Sequence, residues 1–271
     1  MDMNDVSRRG LVLLGCGKMG SAMLQGWLDS GLKAASVWVM DPFPSDWLTS
    51  LERLHLNTDL PPDPAVVLIA VKPQMMDEAL PILKPLGASG SLFISVAAGT
   101  PISAYEAVLG EKSAIVRVMP NTPAAIGKGI TALIGNERVD ESAMALAETL
   151  MSAVGQTVRL SDENQMDGVT AVSGSGPAYV FHLIETLAAA GVDEGLDEDL
   201  AMQLAKATVA GAGALAQAAT EDPAQLRVNV TSPGGTTAAA LEVLMDESDG
   251  FPALLKRAVK AAADRSRELG K

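Results

Sequence analysis

Leu11-Val12-Leu13-Leu14-Gly15-Cys16-Gly17-Lys18-Met19-Gly20 is the stretch on which the fold turns. Four apolar residues without alternation read as a strand buried on both faces, and the apolar positions Ala22, Met23, Trp27 and Leu28 that follow the glycines have helical spacing. Strand, glycine turn and helix in that order form a dinucleotide-binding unit. The first glycine makes the turn, the second lets a pyrophosphate approach the backbone, and the third brings helix and strand close together. The next apolar run, Val37-Trp38-Val39-Met40, ends in Asp41, 21 residues past Gly20, where an acid that binds the adenosine ribose is expected. A second reading of Asp41 stands beside it, as the residue that opens a turn before Pro42.

Further strands are expected at residues 66–70, 92–96 and 114–118, with helical stretches between them. Such alternation implies parallel strands joined by crossover helices. After a strand-like run at 157–160 the pattern changes, and from Glu163 onward it is nearly all helical. The expected architecture is α/β: a Rossmann-type parallel-sheet domain over 1–161, followed by an all-α domain over 162–271. In the second domain Ser175 is placed to cap a helix with Pro177 in its first turn, leaving Val180, Leu183, Ile184, Leu187 and Ala188 on one face. Residues 197–219 begin with acids and are then apolar almost all round. A helix of that kind has to be buried, and a small domain offers little interior for it, so association through this domain is expected.

Composition narrows the function. The 271 residues are 48% hydrophobic but only 3% aromatic, which indicates cores of Ala, Val, Leu and Met. A formal charge of −13 argues against nucleic acid or an anionic membrane as partner. A single cysteine, Cys16, excludes an internal disulfide framework, and His55 and His182 are too far apart in sequence to suggest a metal cluster. Residues 1–10 are polar and mixed in charge, unlike a signal peptide, and no apolar run reaches membrane-spanning length. The expected location is cytoplasmic.

A second motif carries chemistry. Asn229-Val230-Thr231-Ser232-Pro233-Gly234-Gly235-Thr236-Thr237 sets hydroxyls and a Gly-Gly turn directly ahead of a helical run at 238–245. Backbone N–H groups at a helix start point outward at the positive end of the dipole, so the segment reads as a cup for a small carboxylate. Its plainer reading is a capped helix N-terminus.

Taken together, the glycine fingerprint, Ala70-Val71-Lys72-Pro73, Arg117-Val118-Met119-Pro120-Asn121-Thr122-Pro123, Ser173-Gly174-Ser175-Gly176-Pro177-Ala178-Tyr179 and residues 231–237 closely resemble the pyrroline-5-carboxylate reductase family, over almost the whole chain and in order. The resemblance implies a Rossmann domain followed by a helical dimerisation domain, and a homodimer or a higher oligomer built of dimers. It also implies reduction of 1-pyrroline-5-carboxylate to L-proline, the last step of proline biosynthesis, by hydride transfer from NADPH or NADH.

By the same resemblance, Ser232 and the backbone around Gly235, Thr236 and Thr237 hold the substrate carboxylate. The Thr237 hydroxyl bonds the ring nitrogen, and Glu163 stands near the substrate, where a carboxylate offsets iminium charge; a solvated acid is its other reading. Cofactor contacts carry over to Leu14, Gly15, Cys16, Gly17, Lys18, Met19, Gly20, Asn57, Ala70, Val71, Lys72, Pro73, Val96, Ala97, Ala98 and Asn229. Lys72 reads equally as a solvated lysine at a strand end. The family often prefers NADPH, yet Asp41 repels a 2′-phosphate and residues 42–51 contain no arginine to receive one, which leaves NADH open.

Three rival functions are weighed against this one. A β-hydroxyacid dehydrogenase needs a lysine on the first helix after the boundary, and residues 175–190 contain none. A reductase of other cyclic imines has no use for the carboxylate cup. A nucleotide sensor has no need to keep Ser232, Gly235 and Thr237 together.

Overall fold

In the computed structural model, which describes residues 1–270, the apolar run of the opening motif forms β1 (Leu11–Leu14), and all four residues are buried. Their side chains alternate between two cores. Leu11 and Leu13 join Met23, Leu24 and Trp27 on one face of the sheet, while Val12 and Leu14 join Val67, Ile69 and Phe93 on the other. This double burial is why the strand shows no polar alternation.

Seven more strands complete the sheet: β2 (Val37–Met40), β3 (His55–Leu56), β4 (Val66–Ile69), β5 (Leu92–Ser95), β6 (Ala114–Met119), β7 (Gly129–Gly135) and β8 (Gly155–Arg159). They lie in the order β3-β2-β1-β4-β5-β6-β7-β8. The order reverses between β1 and β4, and ligands of open α/β sheets bind beyond the strand C-termini at such a switch. The expectation of parallel strands holds from β3 to β6 and fails at β7, which runs antiparallel to β6. The connector, residues 120–128, holds one 3-10 turn (Thr122–Ile126) and is shorter than the roughly dozen residues a parallel crossover needs. Neither β7 nor the two-residue β3 is anticipated by the sequence. β3 is held at the edge by its pairing with β2 and by His55, whose ring stacks on Trp38 at 4.2 Å.

The helices around the sheet are α1 (Met3–Arg9), α2 (Lys18–Asp29), α3 (Asp46–Ser50), α4 (Met76–Ala79), α5 (Ile102–Leu109) and α6 (Glu141–Ser152). The polar N-terminal residues form α1 because Asp2 and Asp5 build a reciprocal capping box. On the first core face, Trp27 of α2 donates from Nε1 to Leu150 O of α6 at 2.8 Å.

After β8 come α7 (Met166–Val169) and a π-helical stretch (Thr170–Gly174). The chain divides into two compact units. One comprises residues 1–174 and the segment that begins at Ala262; the other comprises residues 175–261. The second unit is all helical, with α8 (Gly176–Asp193), α9 (Glu198–Ala218), α10 (Pro223–Asn229), α11 (Thr236–Leu244) and the greater part of α12 (Phe251–Leu269). Its core is three alanines, Ala188, Ala201 and Ala205, with Ile184 and Met202 against them.

One expectation is corrected here. Ser175 does not cap α8, because its backbone is already helical as the chain arrives from the π-helical stretch. The apolar helix α9 finds little interior within one chain, as expected of so small a domain: only Ala201 and Ala205 are buried, while Leu204 is 48% and Leu215 56% exposed.

Candidate functional site

The glycine motif forms an open cradle at the end of β1. Gly15 takes φ +86°, a conformation side chains rarely adopt, and donates to Met40 O at 2.8 Å, closing the turn against β2. An added Cβ at Gly20 would stand 2.7 Å from Gly15 O, so the third glycine is what lets α2 sit on the turn. At Gly17 an added Cβ meets nothing within 4 Å. Gly17 is also the N-cap of α2, no side chain caps that helix, and its first turn carries no acid. Backbone N–H groups therefore face open space at the positive end of a 12-residue helix, which is the chemistry a pyrophosphate requires. Lys18 is exposed at the same place.

Asp41 and Asn57 are tied into the backbone of this cradle. Asp41 Oδ2 accepts from Cys16 N at 2.7 Å and Oδ1 accepts from Phe43 N at 2.8 Å. Asn57, at φ +52°, closes the other side: its Oδ1 accepts from Asp41 N at 2.9 Å and its Nδ2 donates to Asp41 O at 2.8 Å. The carboxylate thus makes the turn around Pro42, the second of the two readings, and also holds the glycine loop. Burial pushes the Cys16 thiol up to about 12, with Asp41 adding to the effect.

The loops after β4 and β5 flank the cradle. Ala70 N donates to Leu14 O at 2.7 Å and Val96 N to Ile69 O at 3.1 Å, which continues the strand register into both loops. Val71 is partly buried, Lys72 is exposed, and Pro73 opens a 3-10 turn. Ala97 is buried, with Val96 and Ala98 at intermediate depth. Glu163 is no free acid. Its Oε1 accepts from Arg117 Nη1 at 2.7 Å and from Ile102 N at 2.9 Å. Arg117 is 5% exposed, and its Nε is the one buried side-chain polar atom without a partner among the described residues. The motif residues Asn121 and Ser173 meet at 3.3 Å.

In the helical unit the second motif is a turn followed by a helix start. Gly235 N donates to Ser232 O at 3.0 Å across Gly234, whose φ of +69° only glycine adopts readily. Gly235 is then the N-cap of α11, again without a side-chain cap. The N–H groups of Thr236, Thr237 and Ala238 lack intrahelical acceptors by the geometry of a first turn, and both threonines are exposed. Thr231 Oγ1 donates to Arg227 O at 2.6 Å, and Asn229 Oδ1 accepts from Gln225 Nε2 at 2.8 Å.

Known proteins match both halves. A family model described as pyrroline-5-carboxylate reductase dimerisation matches residues 163–269, and one described as NADP oxidoreductase, coenzyme F420-dependent, matches residues 10–99. A pyrroline-5-carboxylate reductase of Pseudomonas aeruginosa is 38% identical over 264 residues, 96% of each chain. The chain belongs to the pyrroline-5-carboxylate reductase family. A Synechocystis reductase of the same name is 47% identical over 76% of this chain and 75% of its own. Among solved structures, the pyrroline-5-carboxylate reductase of Coxiella burnetii superposes with a TM-score of 0.89 at 36% identity, covering 97% of this chain and 99% of its own. The Plasmodium falciparum pyrroline carboxylate reductase, solved with NADP bound, gives 0.85 at 31% identity, covering 98% and 99%.

For this pyrroline-5-carboxylate reductase family member, the residues sequence reasoning missed are Arg117 as a buried cation, Ser95 beside it in the strand register, and Tyr105, which shares a hydrogen bond with Ser95. A signal was present. An arginine in the middle of the apolar run 114–119 is buried once that run is a central strand, and a buried cation requires a carboxylate.

Proposed function

We propose that this chain reduces 1-pyrroline-5-carboxylate to L-proline with NADPH or NADH, the last step of proline biosynthesis. The observation that carries the reading is the pairing, in one chain of this family, of an uncapped glycine cradle at Gly15–Gly20 with an uncapped helix start at Gly235–Thr237. The cofactor, when bound, supplies the hydride. Leu14, Gly15, Cys16, Gly17, Lys18, Met19 and Gly20 hold its pyrophosphate; Asp41 and Asn57 shape the ribose side; Ala70, Val71, Lys72, Pro73, Val96, Ala97 and Ala98 line its path; Asn229 completes the set. Ser232 and the N–H groups of Gly235, Thr236 and Thr237 fix the substrate carboxylate, and the Thr237 hydroxyl bonds the ring nitrogen. Orientation of this kind is the protein's main contribution to hydride transfer.

Homo-oligomeric assembly belongs to the same proposal and is supported by the dimerisation family match, which begins at 163. That match also supports a functional boundary at 161/162, with the dinucleotide domain before it and the substrate and dimerisation domain after it. The cytoplasmic location rests on the acidic, cysteine-poor composition, and cell fractionation tests it.

The deciding assay follows NADPH and NADH oxidation separately with 1-pyrroline-5-carboxylate as substrate. Turnover that depends on this substrate is expected; its absence with both cofactors would overturn the reading. A cyclic imine without the carboxylate is expected to react poorly, and equal rates with and without that group would remove the cup from the site.

A further inference from the structure

Phe43 is the most exposed large apolar side chain among the described residues, at 86%, in a chain that has only four phenylalanines. A single exposed apolar residue is ordinary. The position and stiffness of this one are not. It lies where the chain leaves the C-terminal end of β2, in Asp41-Pro42-Phe43-Pro44, a segment held at both ends. At one end a single carboxylate, Asp41, accepts from Phe43 N at 2.8 Å and from Cys16 N of the glycine loop at 2.7 Å. At the other end Ser45 caps α3, its Oγ accepting from Leu48 N at 3.2 Å. Between them Pro42 and Pro44 fix their own φ and keep the residues before them, Asp41 and Phe43, out of helical backbone. Phe43 is thus held in solvent beside the cradle by a backbone with little freedom to withdraw it.

We infer that Phe43 is the platform on which the adenine ring of the cofactor stacks, and that the base is recognised by its face and not by its edges. This rests on the proposed dinucleotide function and adds a contact residue to it. With the pyrophosphate at the start of α2, β2 and β3 lie on the side of β1 that carries the adenosine ribose, and the base is the next group outward. The other aromatic rings of this region are engaged: Trp38 stacks on His55, and Trp47 packs against the core. Phe43 alone among them offers an open face. The polar side chains that the loop fixes are committed to backbone groups, Asp41 to the N–H groups of Cys16 and Phe43 and the Asn57 amide to the Asp41 backbone. A flat apolar ring meets any purine alike, and it does so whether or not the ribose carries a 2′-phosphate. Because the ring is already held in place, little entropy is lost when the base settles on it.

The test titrates NADH, NADPH and the hypoxanthine analogue of each into wild type, Phe43→Ala, Phe43→Leu and Phe43→Trp by calorimetry. Phe43→Ala is expected to weaken every dinucleotide that wild type binds by the same factor, about tenfold. Phe43→Leu keeps the apolar bulk without the aromatic face and should lose nearly as much. Phe43→Trp should bind at least as tightly as wild type, and ADP-ribose should quench its tryptophan fluorescence beyond any change seen in wild type. Wild type is expected to hold each hypoxanthine analogue within about threefold of its adenine parent. Unchanged affinity in Phe43→Ala would overturn the inference, as would a Phe43→Leu protein that binds like wild type. Rejection of the hypoxanthine analogues by about tenfold or more would overturn recognition by the face. Lost binding accompanied by a lower melting temperature of the unliganded protein, or by altered sedimentation, would make Phe43 a scaffold or subunit contact and overturn the inference as well. A wild type that binds neither NADH nor NADPH would overturn the proposed function and this inference with it, whereas failure in the variants alone touches only the inference.

Discussion

Gly17, Asp41, Cys16 and Thr237 each carry a separable consequence. Gly17 has open space where a side chain would go, so Gly17→Val is expected to fold normally and to lose cofactor binding, because the branched side chain occupies the room of the pyrophosphate. A melting curve and a cofactor titration on the same preparation check both halves. Asp41→Ser removes a negative charge from the ribose side and also one of two backbone tethers at Cys16 and Phe43. The NADPH-to-NADH ratio of kcat/KM is expected to rise about tenfold, with a small loss of thermal stability from the weakened tether. The Cys16 thiol titrates at about 12 in the folded chain against an ordinary value of 9.0. A raised folded value leaves stability intact below 9 and removes it as pH climbs toward 12, at about 1.4 kcal/mol per pH unit. Urea unfolding at about pH 8 and about pH 10 should therefore show a larger loss in wild type than in Cys16→Ala, by on the order of 1 kcal/mol. At Thr237, replacement by Val keeps the shape and removes the oxygen, and kcat/KM for the imine should fall roughly 10- to 100-fold. Thr236→Val should cost less, since that residue offers its N–H.

At the scale of the element, the strand, turn and helix at 11–29 stand or fall on the close approach at Gly20. An added methyl lies 2.7 Å from Gly15 O, a backbone atom that cannot rotate away, so Gly20→Ala has to lift α2 off the turn. The expected cost is about 1–3 kcal/mol, with weaker cofactor binding because the helix start moves. Gly17→Val and Gly20→Ala thus separate ligand space from packing space within one motif: the first spares the melting temperature and the second lowers it. The element α11 obeys a different rule. Its start is exposed and uncapped, so substitutions there are expected to leave stability nearly unchanged while altering substrate binding.

For the whole molecule, the decisive quantity is the apolar surface the helical unit leaves open. A core of three alanines cannot hold this unit together against the entropy of ordering it, while Leu183, Leu187, Leu200, Leu204 and Leu215 remain exposed in the single chain. Covering such residues gains about 25 cal/mol per Å². Sedimentation at micromolar concentration is expected to show a dimer or a multiple of it, and Leu204→Glu to dissociate it with loss of activity. A stable, active monomer would refute this.

Sequence by itself determined the strands β1, β2, β4, β5 and β6 and the two uncapped helix starts, because local patterns encode them: apolar runs for strands buried on both faces, and glycines where backbone and ligand come close. The two-residue β3 carries no such run and was set by its pairing with β2. The reversal at β7 was set by the length of a connector, which becomes informative only once β6 has a neighbour to pair with. Tertiary structure alone decided the fate of the charged groups. Asp41 and Glu163 look alike in sequence, as acids in turns, yet one carboxylate is held by the backbone N–H groups of Cys16 and Phe43 and the other by Arg117 and Ile102. Burial makes a charge find a partner, and which partner lies within reach is a property of the sheet, 46 residues apart in the case of Arg117 and Glu163.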